Sequence, residues 1–128
     1  HYPEGVLVTF ATGEKMLRRT MKQLIVDSGK PKKKATEIVN GIRTMKELKK
    51  EWKTYSKNEG LVNILGNRNW ESFMTARKMR NDFIHGNRVF TKKEAKEVAQ
   101  NMFEALEKFN EKLLEEYEFS GWGKIRKR

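Results

Sequence analysis

The sequence has 128 residues, of which 37% are hydrophobic and none is cysteine, so it can build one modest core but excludes a second domain, a disulfide framework and a Cys-based zinc site. No stretch approaches the roughly 18 uninterrupted apolar residues of a membrane-spanning helix, and the first residues lack the regions of a signal peptide. With a formal net charge of +11, we expect one soluble, cytoplasmic domain over residues 1–128, and the missing initial Met suggests a fragment of a longer chain.

The first half of the chain predicts two amphipathic helices, because apolar residues recur there at three- and four-residue intervals. The first helix is predicted at about 3–27, with Gly13 weakening its middle, so that it could form two pieces. Ser28 to Pro31 then combine a helix stop with a proline suited to a first helical position. The second helix is predicted at about 31–58, with one apolar stripe and one lysine-rich face.

The third predicted helix spans about 70–85 and follows a loop. Gly60 is predicted to end the second helix, and residues 61–69 are predicted as a loop with one apolar turn. Asn69 suits the N-cap of the third helix, and Gly86 is positioned to end it.

The fourth predicted helix opens with a capping box formed by Thr91 and Glu94. Short connections between four amphipathic helices predict an all-α fold, an up-down four-helix bundle. We expect the basic tail, residues 120–128, to be flexible. The apolar side of the fourth helix consists of Ala95, Val98, Ala99, Met102, Phe103, Leu106, Phe109, Leu113 and Tyr117.

Charge is segregated along the chain. Residues 15–58 hold 14 Lys and Arg against 4 Asp and Glu, and residues 67–93 hold 7 against 2, whereas residues 94–118 hold 3 against 8. A basic surface favours a polyanionic partner through phosphate contacts and counterion release. A solvated lysine face that only maintains solubility and an anionic membrane surface are the alternatives, and charge does not choose between them.

The third helix carries polar residues where an apolar arc is expected. On a helical wheel, Arg77 and Asn81 fall inside the arc set by Trp70, Phe73, Met74 and Ile84. Arg80 lies at one border of this arc and His85 at the other. Burying such groups unpaired costs on the order of 1 to 3 kcal/mol each, so they must find partners or line a cleft.

The string from Met79 to Gly86 (MRNDFIHG) resembles the R-x4-6-H signature of the HEPN superfamily, here Arg80 to His85. The Asn after the Arg and the Gly after the His also agree with that signature. The resemblance implies a HEPN-type four-helix bundle that forms a symmetric dimer, so that two motifs face one cleft. In active members it implies RNA cleavage without a metal or other cofactor.

The chemistry of that reaction agrees with these residue types. Attack by the ribose 2′-OH needs a base, an acid for the leaving 5′-oxygen, and a cation for the charge on phosphorus oxygens. His85 is the only plausible interior imidazole, so a monomer lacks one proton carrier and a symmetric dimer supplies both. Arg80 can hold a phosphate with its planar fork, and about 7.5 Å of helical rise separates it from His85.

Three further residues are candidates for binding or orienting the substrate: Asn81, Arg77 and Arg88. For Arg77, a structural role in which it pairs with a buried carboxylate is the favoured interpretation. The simpler interpretation of the motif is a polar helix terminus at His85 and a surface ion pair at Arg80. The acidic residues of 94–118 are expected on the solvent side of their helix, which argues against a metal-dependent site.

The leading hypothesis is thus a metal-independent endoribonuclease, a toxin or defence effector held in check by an antitoxin or other regulatory protein. The alternatives are a silent HEPN module that binds RNA, nucleotide or protein, and a basic DNA-binding protein, which lacks helix-turn-helix spacing. HEPN toxins paired with a nucleotidyltransferase often carry Tyr two positions after the His, where this chain has Asn87. Control by that route is therefore doubtful.

Overall fold

The computed structural model describes residues 4–56, 59–86 and 90–122, and these residues form an all-helical fold with no strand. Arg88, Asn87 and residues 123–128 of the predicted tail lie outside the described residues. The six helices of the described part are α1 Glu4–Asp27, α2 Lys32–Asn40, α3 Met45–Tyr55, α4 Leu61–Leu65, α5 Asn67–Ile84 and α6 Lys92–Tyr117.

α1 runs without interruption through Gly13, so the predicted weak point does not divide it. Gly13 is buried where α1 crosses α6, and a Cβ atom there would meet the side chains of Met102 and Leu106. The missing side chain therefore leaves the space that the ends of the Met102 and Leu106 side chains fill.

The prediction of one helix over 31–58 is wrong, because α2 and α3 are separate. The Arg18 guanidinium of α1 donates to the carbonyl oxygens of Val39 (3.0 Å) and Ile42 (2.9 Å), which satisfies groups left free at the end of α2. Thr44 then opens α3 as its N-cap, and its Oγ1 accepts from the Glu47 N–H at 3.1 Å. The Thr-x-x-Glu spacing of Thr44 and Glu47 is a signal for the start of a helix, and it lies inside the single helix predicted over 31–58.

The predicted loop over 61–69 is also largely helical. α4 buries Leu61, Ile64 and Leu65, and burial of these side chains stabilises a helix too short to form alone. α5 begins at Asn67, so the prediction of Asn69 as N-cap is wrong. The Asn69 Nδ2 instead donates to the Leu65 carbonyl oxygen at 2.9 Å, at the end of α4.

α6 confirms the predicted capping box: Thr91 Oγ1 accepts from the Glu94 N–H (3.1 Å), and the Glu94 carboxylate accepts from the Thr91 N–H (3.2 Å). Its apolar side is buried or half-buried as predicted, except for Phe103, which is 53% exposed. Of the eight acidic residues over 94–118, Glu94 is half-buried and the others are exposed, as predicted.

α5 packs against both α1 and α6, and this three-helix contact forms the centre of the fold. α4 covers one end of α5 and α6, while α2 and α3 pack on α1. Residues 120–122, the start of the predicted tail, are held to the helices, since Arg19 donates to the Trp122 carbonyl oxygen (3.1 Å) and Asn110 Oδ1 accepts from the Gly121 N–H (2.7 Å). Within the described ranges, no helix has the length and apolar character needed to cross a membrane.

Candidate functional site

The predicted site residues lie on α5, whose buried face is shifted from the predicted arc. Phe73, Ala76 and Met79 are the buried residues of this helix, because they face α1 and α6. Ile84, which was predicted inside the apolar arc, is 59% exposed, since the last turn of α5 extends beyond the packed part of the core. Arg77, Arg80 and Asn81 are all half-buried on the flank of this face.

The guanidinium of Arg80 is held in place from two sides. Its Cζ lies 4.7 Å from the centroid of the Phe10 ring, and its Nη2 donates to Asn81 Oδ1 at 2.9 Å. Its Nε is buried without a hydrogen-bond acceptor. Among the described residues, no carboxylate forms an ion pair with Arg80. Arg80 is thus an ordered cation whose charge is not neutralised by an acidic side chain in this part of the chain.

Phe10 is itself one end of a row of aromatic rings, which we call the aromatic row: Phe10, Phe73 and Trp70. The Phe10 and Phe73 centroids are 5.1 Å apart, and those of Phe73 and Trp70 are 6.0 Å apart. Beyond Trp70, the Nζ of Lys49 on α3 lies 5.3 Å from the Trp70 ring centroid. A cation therefore lies on each end of the row, Arg80 at one and Lys49 at the other.

His85 is the C-cap of α5, and its backbone N–H donates to the Asn81 carbonyl oxygen at 3.0 Å. Its side chain is exposed, so the prediction of an interior imidazole is wrong, because His85 lies at the exposed end of the helix. Gly86 follows with a φ of +66°, which ends the helix as predicted. The two residues before it are exposed large hydrophobics, Phe83 at 39% and Ile84 at 59%. We call Phe83 and Ile84 the apolar end of α5. The imidazole thus lies beside apolar surface that the described chain leaves uncovered.

The structure brings some of the predicted site residues together and leaves others apart. Arg80 and Asn81 share a hydrogen bond, and Asn81 is also joined to His85 through the backbone. No hydrogen bond links the His85 ring to Arg80 in the described part of the chain. Arg77 lies almost one turn before Arg80 on the same flank, and Arg88 lies outside the described residues.

Two features of the structure were not found from sequence: the contacts of Phe10 and Lys49 with α5, and a separate cavity at Tyr117. Phe10 and Lys49 come from helices far along the chain, and no sequence signal marks their contacts with α5.

A cavity of about 740 Å³ also lies away from Arg80 and His85, and several carboxylates line it together with Tyr117. The Tyr117 hydroxyl donates to Glu59 Oε2 at 2.7 Å; burial, this hydrogen bond and the negative charge of Glu59 raise the pKa of Tyr117 well above its usual range.

The site offers a fixed cation for phosphate oxygens and an accessible imidazole for proton transfer. Over the described residues, there is no group of three or more His, Asp or Glu side chains that could hold a metal ion. No family model, no curated protein and no solved structure matches the chain.

Proposed function

We propose that the chain is a HEPN-type endoribonuclease that cleaves RNA without a metal ion at a composite site formed by two copies of itself. The observation that carries this proposal is the state of Arg80: an ordered guanidinium, fixed by Phe10 and Asn81, with no acidic partner among the described residues. A cation held in this way can bind phosphate oxygens without first releasing a carboxylate.

The simpler interpretation of Arg80, as a surface residue in an ion pair, is not supported by this geometry. An ion-pairing arginine has a carboxylate oxygen within about 4 Å, and among the described residues none forms such a pair with Arg80. The buried Nε without an acceptor also costs on the order of 1 to 3 kcal/mol. A buried polar atom without a partner requires an explanation, and for Arg80 the proposed role of its guanidinium in phosphate binding supplies one.

The position of His85 supports the two-copy site. Its exposed imidazole adjoins the apolar end of α5, and uncovered apolar surface of this kind is typical of protein contacts. In the proposed dimer, a twofold axis places both imidazoles at one scissile phosphate. One takes the proton of the 2′-OH as its oxygen attacks phosphorus; the other donates a proton to the 5′-oxygen as that bond breaks, leaving a cyclic phosphate and a 5′-OH.

The finer fold assignment belongs to the same proposal. α1, α5 and α6 provide three long helices, and α2 and α3 together take the place of the fourth. In this HEPN-type bundle, Asn81 positions Arg80, and Arg77 and Arg88 contact the RNA on either side of the site.

The proposal is tested by incubating the purified protein with single-stranded RNA in EDTA. We expect cleavage by the wild type, and a loss of at least about a hundredfold in His85→Ala and Arg80→Ala. Lys78→Ala is the matched control, because Lys78 is an exposed cation of α5 that lies on the opposite side of the helix from Arg80. If the wild type does not cleave, or if His85→Ala cleaves equally well, the nuclease proposal is wrong; retained RNA binding would then favour a silent binding module.

A further inference from the structure

Three of the four lysines of α3 share one flank of the helix, while the fourth, Lys50, lies with its glutamates on another. Lys46, Lys49 and Lys53 follow one another at helical spacing, so they share one flank, and all three are exposed. We call these three residues the lysine face. Glu47 and Glu51 lie on the other flank, where they line a cavity of about 410 Å³ together with Glu37 and Lys50. In the described part of the chain, no ion pair involves the lysine face.

The lysine face is joined to the helix that carries the site. Lys49 lies over the ring of Trp70, which belongs to α5. Arg77 follows Trp70 by seven residues, nearly two full turns, so both lie on the same flank of α5, and Arg80 is almost one turn further. Ten residues of helix from Trp70 to Arg80 correspond to about 15 Å. Basic groups thus mark a route from Arg80 past Arg77 to the lysine face.

We propose that single-stranded RNA extends from the Arg80 site along the Trp70 and Arg77 flank of α5 and continues over the lysine face of α3. This inference rests on the proposed function for its ligand and assigns the surface over which several nucleotides of the single strand extend. A flexible strand can follow the curved route between two helices, and the cations along it bind its phosphates by counterion release.

A polyanion fits the lysine face better than an anionic membrane does. Membrane-binding helices insert an exposed apolar face beside their basic residues. The apolar residues of α3 are turned into the protein, with Leu48 and Trp52 buried. Among the described residues, the exposed large hydrophobics are on α1, α5, α6 and at Trp122, and none is on α2 or α3. The lysine face therefore presents positive charge, but in the described part of α3 no exposed large apolar side chain accompanies it that could insert into a membrane.

The first arm of the test measures binding of labelled single-stranded RNA of about 12 nucleotides by fluorescence anisotropy, over a range of salt concentrations. The protein carries His85→Ala to prevent cleavage, and the test variant adds Lys46→Gln, Lys49→Gln and Lys53→Gln. The matched control adds Lys15→Gln, Lys96→Gln and Lys108→Gln, which removes three exposed lysines from α1 and α6. We expect the test variant to bind at least tenfold more weakly, with a log–log salt slope smaller by about 2 units, and the control to change far less.

The second arm compares cleavage of a dinucleotide and of the longer RNA, with His85 intact. We expect the three substitutions in the lysine face to slow cleavage of the longer RNA alone. If binding and salt slope match the control, or if anionic vesicles rather than RNA require the lysine face, the inference is wrong, whether or not the enzyme cleaves. If no RNA is cleaved but binding still depends on the lysine face, the nuclease proposal fails and the RNA route stands.

Discussion

Arg80 and Phe10 are seventy residues apart in sequence, yet the Arg80 guanidinium lies over the Phe10 ring, with Cζ 4.7 Å from its centroid. The ring holds the guanidinium in a fixed position, and this cation–π contact contributes about 0.5 to 2 kcal/mol of stability. Phe10 is 1% exposed, so solvent does not compete for that contact. The orientation of the candidate catalytic cation therefore depends on a core residue of another helix.

Replacing the Phe10 ring should reduce RNA cleavage by more than the loss of folding stability alone explains. We expect Phe10→Leu to lower the free energy of unfolding by about 1 to 2 kcal/mol. We also expect the rate of RNA cleavage to fall by about tenfold, because Arg80 loses its contact with the ring. Phe109→Leu is the control, since Phe109 is also 1% exposed but packs with Trp52 instead. Denaturant unfolding and initial cleavage rates check both variants; equal activity loss in the two would show that only general destabilisation matters.

Asn81 allows the charge of Arg80 to be tested without moving it. Asn81→Asp keeps an oxygen acceptor for Arg80 Nη2 and adds a negative charge beside the guanidinium. We expect stability to be unchanged or slightly raised, and cleavage and RNA affinity to fall by about tenfold or more, because the cation is neutralised. Enzyme kinetics and RNA-binding titrations measure this effect. An Asp variant with wild-type activity would mean that Arg80 has only a structural role.

Local sequence signals predicted the parts of the fold that depend on neighbouring residues. The capping box of α6 needs only Thr91 and Glu94, three positions apart, and the end of α5 needs only the glycine after His85. Both predictions are confirmed. The motif residues were likewise placed correctly near the end of one helix, because helical periodicity is a local property.

The features that sequence did not reveal depend on distant contacts. The break between α2 and α3 is stabilised by Arg18, which reaches carbonyl groups 21 and 24 positions away along the chain. The contact of Arg80 with Phe10 and that of Lys49 with Trp70 also join different helices. A helical wheel treats each helix alone, so it placed Ile84 in the core, although this side chain is 59% exposed at the end of α5.

Tyr117 predicts a pH dependence of stability at alkaline pH. Its pKa is raised by burial first and then by the hydrogen bond to Glu59, so the folded state keeps its proton at pH values where the unfolded chain loses it. The contribution of Tyr117 to stability is therefore fully present below about pH 10 and is lost as the pH rises toward and through the raised pKa. Unfolding free energies of the wild type and Tyr117→Phe, measured across this range, should converge as the pH rises. A difference that stays constant would contradict this assignment.

The two-copy site makes a prediction about mixed samples that a one-chain site does not make. If each scissile phosphate needs two His85 imidazoles, a dimer with one His85→Ala subunit is inactive. After subunit exchange with a ninefold excess of the variant, about one wild-type chain in ten has a wild-type partner, so activity per wild-type chain should fall about tenfold. Lys78→Ala, mixed in the same ratio, serves as the control, because it exchanges without removing an imidazole. Cleavage assays after mixing, with subunit exchange verified by differently tagged chains, measure the effect. Unchanged activity per wild-type chain would show that one chain carries a complete site, and the exposed apolar end of α5 would then need another explanation.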